Sequence, residues 1–198
     1  AYSTAKNVAV SAQIWSTSEI SEIHSMSMEH FAYPWMELFF GANADKYRYA
    51  HLSEALKTIP YLCLVDHFQH EVFANDFDAK GLRKCWRRLE KIYMPWRDYD
   101  GNEFLDEGGF WMQKQHIFMY PFYYVDYALA QMGAFEYFTR AKSDKAGAWK
   151  DYYALCCAGG SKSYFELLKL GGLSNPFEKG SVKKAISGVV AELDKNNF

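Results

Sequence analysis

Ser16-Thr-Ser-Glu-Ile-Ser-Glu-Ile-His-Ser-Met-Ser-Met-Glu-His-Phe-Ala-Tyr-Pro-Trp-Met-Glu-Leu-Phe-Phe40 sets carboxylates on a helical stripe among apolar neighbours. Glu19, Glu22, Met26 and Glu29 recur at i, i+3, i+7 and i+10, so all four project from one side of an α-helix. Three acids on one stripe repel, and an ionised carboxylate left unpaired in an apolar interior is costly. The stripe must therefore face water, basic side chains or a bound cation. Neighbouring Trp15, Ile20, Ile23, Met28, Phe31, Trp35, Phe39 and Phe40 argue against full exposure. Ser16 followed by Glu19 has the capping-box pattern of a helix start, Pro34 predicts a break, and Gly41 predicts a stop.

Outward from this segment the pattern stays helical. Residues 1–15 lack a helical period and read as an irregular lead-in. Asp45 to Lys57 predicts a second helix, and Pro60, well placed in a first turn, opens a third through Phe73. Asp78 is the expected cap of a basic helix from Gly81 to Tyr93. Arg97-Asp-Tyr-Asp-Gly-Asn102 is turn chemistry, and Gly108-Gly109 is a further stop. Trp111 to Arg140 carries aromatics at helical spacing interrupted by Pro121, which predicts two helical pieces joined at a kink. Asp144–Ala158, Ser161–Leu170 and Phe177–Lys195 complete the helices, with glycine pairs at 159–160 and 171–172 as stops. No convincing strand period, internal repeat or low-complexity tract is present. The fold class is all-α, expected as a single helical domain over residues 1–198.

Composition narrows the function. An apolar content of 49% and an aromatic content of 18% exclude disorder and predict an aromatic-rich core. A formal charge of −2 gives no basic footprint for nucleic acid and no polybasic membrane patch. The apolar run from Phe118 to Gln131 is broken by Pro121 and Asp126, too short and polar to span a bilayer, so a soluble protein is expected. Cys63, Cys85, Cys156 and Cys157 show neither CxxC spacing nor a secreted disulfide pattern. They read as reduced and mostly buried, which places the chain in the cytoplasm. The sequence starts at Ala1 without Met or signal peptide, as an internal position of a longer polypeptide or a processed end would.

Three constellations bear chemistry. Glu19, Glu22 and Glu29 are either ion-pair partners for neighbouring helices, or one is a metal ligand and another orients a ligand histidine. In Gln115-His-Ile-Phe-Met-Tyr-Pro-Phe-Tyr-Tyr-Val-Asp-Tyr127, one histidine and four tyrosines lie within a dozen residues. They either pack, or turn phenol and imidazole donors toward a developing oxyanion. His67 and His70 stand at i, i+3 and either bind a metal or are hydrogen-bonded; the order is HxxHE rather than HExxH. His24, His30 and His51 read as isolated, and Ala158-Gly-Gly-Ser161 is a weak anion-site signal.

Ser18-Glu-Ile-Ser-Glu-Ile-His-Ser-Met-Ser-Met-Glu29, Tyr33-Pro-Trp-Met-Glu-Leu-Phe-Phe40, Arg97–Asn102, His116-Ile-Phe, Pro121-Phe-Tyr-Tyr-Val-Asp-Tyr-Ala-Leu-Ala-Gln131 and Ala158–Ser161 together resemble the C-terminal part of oligoendopeptidase F. That family lies in the thimet-oligopeptidase-like, zincin-like group of zinc metallopeptidases. The resemblance implies a zinc metalloendopeptidase that cleaves internal bonds of short oligopeptides. Glu22 would be the third zinc ligand, and Glu19 the acid that orients a zinc histidine. His116, Tyr124 and Tyr127 would bind substrate and stabilise the tetrahedral intermediate, with Tyr120 and Tyr123 as further substrate-binding residues.

The family's HExxH, which carries two zinc histidines and the general-base glutamate, is absent from the sequence. The resemblance therefore implies a fragment: a product of proteolysis, a truncated form or one half of a split gene. Its partners would be an oligopeptide substrate and the missing N-terminal part or a companion chain, with no nucleic acid and no membrane. Alone it is expected to be inactive, to hold Zn2+ weakly or not at all, and to expose apolar surface where its other half docks. The rival readings are a catalytically inactive helical binding or assembly module, and a small independent metal site at His67 and His70.

Overall fold

The computed structural model describes residues 4, 5 and 7–195. Among them the regular structure is helical, without strands. The helices are α1 (Ser18–Phe31), α2 (Glu37–Phe40), α3 (Ala44–Ala74), α4 (Ala79–Tyr93), α5 (Glu103–Asp106), α6 (Gln115–Met119), α7 (Tyr124–Ser143), α8 (Lys145–Ala158), α9 (Tyr164–Leu170) and α10 (Ser181–Leu193). They gather into two compact units. The first takes the chain up to Leu56 and again from Leu129; the second is the continuous stretch Lys57–Ala128.

In the first unit, Ile20, Ile23 and Phe31 of α1 pack with Ala130 and Tyr137 of α7, with Tyr152, Leu155 and Cys156 of α8, and with Leu167 and Leu168 of α9. Burying an aliphatic or aromatic side chain of this size stabilises by roughly 1.5–3 kcal/mol. The tyrosine hydroxyls that enter this core find carbonyls. Tyr137 donates to Gly171 O at 2.9 Å and Tyr152 to His24 O at 2.9 Å.

The apolar neighbours of the acidic stripe divide differently from expectation. Trp15 is 65% exposed, Trp35 53% and Phe39 73%, and Met28 and Phe40 are also exposed, so only Ile20, Ile23 and Phe31 of that set are core. Glu19 and Glu22 lie half-buried at the edge of this core.

Local expectations hold at several ends. Pro34 sits in a 3₁₀ turn that separates α1 from α2, and Gly41 after α2 has φ of 50°. Asp78 Oδ1 accepts from Gly81 N–H at 2.7 Å, capping α4, and Asp144 caps α8 in the same way through Gly147. Asp100 and Gly101 take the positive φ that the Asp-Gly turn predicts. Two expectations fail. The Ser16 capping box does not form: Thr17 is the N-cap, and Ser16 Oγ lies 3.0 Å from Ser21 Oγ instead. A box of that type stands at α9, where the Glu166 carboxylate accepts from both Ser163 N–H and Ser163 Oγ–H.

The second failure is Pro60, which does not open a helix but lies inside the 31 residues of α3. Proline removes only the bond to the carbonyl four residues back and crowds it, at about 3 kcal/mol. Beyond it Tyr61, Leu64, Val65 and Phe68 repeat at helical spacing into the second core, with Cys85, Trp86 and Leu89 of α4 and with Trp111. That burial exceeds the penalty, so the helix continues through the proline.

In the second unit Gly108 has φ of 98°, and a Cβ there would lie 2.0 Å from Arg83 O, so only glycine lets this turn close against α4. Gly160 serves the first unit similarly: its N–H donates to Gln13 O at 2.7 Å, and an added Cβ would meet Trp15 O at 2.1 Å. The glycine pair before α9 is thus a backbone clasp on the lead-in, with this N–H already used. All four cysteines are free. Cys85 and Cys156 are buried, and burial raises the thiol pKa of Cys63, Cys85 and Cys156. No helix among the described residues is long and apolar enough to cross a membrane.

Candidate functional site

Within the second unit the chain doubles back between α6 and α7. Pro121 offers no N–H, and Phe122 adopts a φ of 64°, unusual for a bulky residue. Phe122 is held there by its N–H, which donates to buried Gln69 Oε1 at 3.3 Å, and by ring packing against His70 and Phe73 at 4.9 and 5.2 Å. Such a backbone costs of order 1–3 kcal/mol and persists only where the surroundings enforce it.

The reversal brings His116 of α6 onto the first turn of α7. Its ring centroid lies 5.0 Å from Tyr124, 6.1 Å from Tyr127, 6.2 Å from Tyr123 and 6.4 Å from Tyr120. Tyr124 and Tyr127 are 5.6 Å apart with nearly perpendicular rings. All five side chains singled out in this segment therefore form one cluster. Burial, with the neighbouring Tyr127, raises the pKa of Tyr124, so its hydroxyl stays a proton donor at neutral pH. Among the described residues, neither the Tyr124 nor the Tyr127 hydroxyl has a hydrogen-bond partner within the chain. Donors of this kind, fixed by ring packing and not consumed internally, can serve an oxygen that gains negative charge.

The acidic stripe belongs to the first unit and splits into two environments. Glu22 takes part in a local bond, Ser25 Oγ donating to its Oε2 at 2.9 Å. Glu29 pairs with His51, whose Nε2 lies 3.1 Å from Glu29 Oε2, and this hydrogen bond lowers the Glu29 pKa. His51 Nδ1 in turn meets the Tyr33 hydroxyl at 2.7 Å. His30 is buried among Tyr33, His51, Phe135 and Phe138, and burial drops its pKa to about 4, as it does for His24.

His30 and His51 are thus not isolated, as the sequence suggested, but part of one network. A cavity of about 330 Å³ lies beside it, lined by His30, Tyr33, Arg48, Phe138 and Lys142. Of its cations, Arg48 pairs with Glu37 and Asp45 and Lys142 with Glu192, while Lys145 Nζ stands 5.0 Å over the Trp35 ring.

His67 and His70 face separate partners. His67 Nδ1 contacts Tyr93 OH at 3.1 Å and its Nε2 lies 3.6 Å from Glu71, while His70 Nε2 lies 3.5 Å from Asp66. Among the described residues no group of three His, Cys, Asp or Glu side chains is disposed to hold a metal ion.

The comparisons with known proteins agree with the helical architecture. The chain superposes with a TM-score of 0.96 on a protein described as an oligoendopeptidase F, at 47% identity over 99% of this chain and 35% of that one. A PZ peptidase A solved with an inhibitor matches at TM-score 0.90 and 45% identity, covering 92% of this chain and 33% of that one. An oligoendopeptidase F from Bacillus anthracis gives 0.78 and 41%, with 92% and 30% covered. No protein-family model and no curated relative matches.

Fold and sequence together make this chain a relative of peptidases. More particularly, it is related over nearly its whole length to oligoendopeptidase F, as its motifs implied, and it spans about a third of the length of those chains.

Proposed function

We propose that this chain is the C-terminal portion of a zinc-dependent endopeptidase that cleaves internal bonds of short oligopeptides in the cytoplasm. The observation that carries the reading is the cluster of His116, Tyr124 and Tyr127, whose phenol donors have no partner among the described residues, in a chain 41–47% identical to oligoendopeptidase F and PZ peptidase A over at least 92% of its length. In this reading Tyr124 and Tyr127, with His116, donate to the peptide oxygen as its carbon becomes tetrahedral. Tyr120 and Tyr123 line the peptide's path.

Glu22 suits one metal ligand: it is a half-buried carboxylate oriented by Ser25 Oγ. Glu19, one turn earlier on α1, orients a ligand histidine. The donor set of the described residues is incomplete for zinc, since no ligand trio exists among them, and the two histidines and the general base would come from a HExxH segment outside this sequence. Zinc bound by a full set supplies Lewis acidity and a more acidic water. The chain's own residues supply charge at Glu22 and hydrogen bonds at the tyrosines. Exposed Trp35, Leu38 and Phe39 in the first unit, and Ile92, Trp96 and Phe118 in the second, support docking against the rest of such an enzyme.

The test combines this chain with a HExxH-bearing segment, in one polypeptide or as a companion, and measures zinc content and cleavage of a fluorogenic oligopeptide. Glu22→Ala is expected to lower zinc retention and abolish cleavage. Unchanged zinc and turnover would overturn the assignment, and peptide binding without cleavage in the combined protein would favour an inactive binding module.

A further inference from the structure

Arg97 and Lys114 hold an unusual position in the second unit. Of the arginines among the described residues, Arg48, Arg83, Arg87, Arg88 and Arg140 each have a carboxylate partner, and Arg97 has none. Both cations are only partly exposed and both lie over one ring. Arg97 Cζ is 4.8 Å and Lys114 Nζ 5.9 Å from the Phe110 centroid, and Lys114 also stands 5.2 Å over Tyr61. Burial and the neighbouring Arg97 charge lower the Lys114 pKa.

The nearby acids are committed elsewhere: Glu90 to Arg87 and the Tyr99 hydroxyl, Asp98 to the Asp100 N–H. Two like charges on one aromatic surface repel, and faces of π-electrons repay only part of that. Tyr61 is 8% exposed, its hydroxyl has no hydrogen-bond partner, and it lies within the electrostatic influence of Arg97. A guanidinium fork and an ammonium that share one ring and have no carboxylate partner among the described residues match a planar carboxylate.

We infer that Arg97 and Lys114, set against the Phe110 and Tyr61 rings, form a carboxylate-binding subsite that anchors one acidic group of the peptide. Its place relative to the scissile bond rests on the peptidase reading above. The Tyr61 ring lies 6.0 Å from Tyr124, so the subsite adjoins the donors assigned to the reacting carbonyl. Either the free C-terminus of a peptide cut near its end or an Asp or Glu side chain supplies the carboxylate.

The test uses one N-acetylated pentapeptide in three forms: free C-terminal acid, C-terminal amide, and amide with a single internal Glu. Calorimetry with the 198-residue chain is expected to give at least tenfold tighter binding of one or both acid forms than of the plain amide. Which form wins tells terminus from side chain. Lys114→Met and Arg97→Gln should each erase that preference, and Lys114→Arg should keep it. Equal binding of all three forms by the parent chain, or a preference that survives both substitutions, overturns the subsite. In the combined protein, cleavage with no acid preference would sink the subsite and leave the peptidase reading standing. Acid-selective binding with no cleavage would do the reverse.

Discussion

The Glu29–His51–Tyr33 network of the first unit and the His116–Tyr124–Tyr127 cluster of the second are built from the same kinds of side chain, yet they are wired oppositely. In the first, both His51 nitrogens are used, by Glu29 at 3.1 Å and by Tyr33 at 2.7 Å. In the second, rings touch rings and the Tyr124 and Tyr127 hydroxyls find no acceptor among the described residues. A network closed on itself contributes to stability, because opening it leaves a buried polar group without a partner. A cluster left open contributes little to stability and keeps its donors for something else.

The sharpest way to break this contrast is Tyr127→Phe. In the combined protein it is expected to lower turnover by a hundredfold or more, the equivalent of about 2.7–4 kcal/mol for one oxyanion donor. In the isolated chain it should leave the unfolding free energy from urea titration within about 0.5 kcal/mol, the range of changes that break no internal contact. Unchanged kinetics, or a large loss of stability, would put Tyr127 among the structural tyrosines.

Next in size is acid sensitivity, which belongs to the closed side. His30 has a folded-state pKa of about 4 against an ordinary value of 6.5, lowered chiefly by burial. Above pH 6.5 both states are neutral and stability is flat. As pH falls from there to about 4, the unfolded chain takes up a proton that the folded chain refuses, so stability declines. At about 1.4 kcal/mol per pH unit the loss is on the order of 3 kcal/mol. Urea titrations at stepped pH should show it, and His30→Gln should remove this share of the decline while leaving that of His24, which burial lowers likewise.

The smallest effect sharpens the picture. His51→Ala leaves the buried Tyr33 hydroxyl without its acceptor and should cost about 1–3 kcal/mol by denaturant unfolding. A neutral outcome would mean that water replaces the imidazole and that the network is not closed.

Helical periodicity and glycine stops made most elements legible in the sequence, because local spacing and local capping set them. Asp78 caps where expected, since the acceptor and its N–H lie three residues apart. The Ser16 box was misplaced because identical local chemistry recurs, and only the surroundings choose which serine is used. Pro60 was misread because the force that carries α3 through it comes from Trp86, Leu89 and Trp111, far away in the chain.

The same limit explains the site. Tyr124 and Tyr127 share a helix and were visible from spacing. His51 lies 22 residues from Glu29, and nothing in its neighbourhood announces the pairing. Lys114 stands two residues before His116, but its meaning depends on the ring of Tyr61 and on Arg97.

The clasp of Gly160 on Gln13 carries a consequence for biosynthesis. A ribosome delivers Lys57–Ala128 as an uninterrupted stretch, and the second core draws on that stretch alone. Ile20 and Ile23, by contrast, wait for Tyr137, Leu155 and Leu167, synthesised more than a hundred residues afterwards. The early amphipathic segment spends that interval with its greasy side unburied. Long sequence separation of this kind slows folding and invites aggregation or chaperone capture during translation.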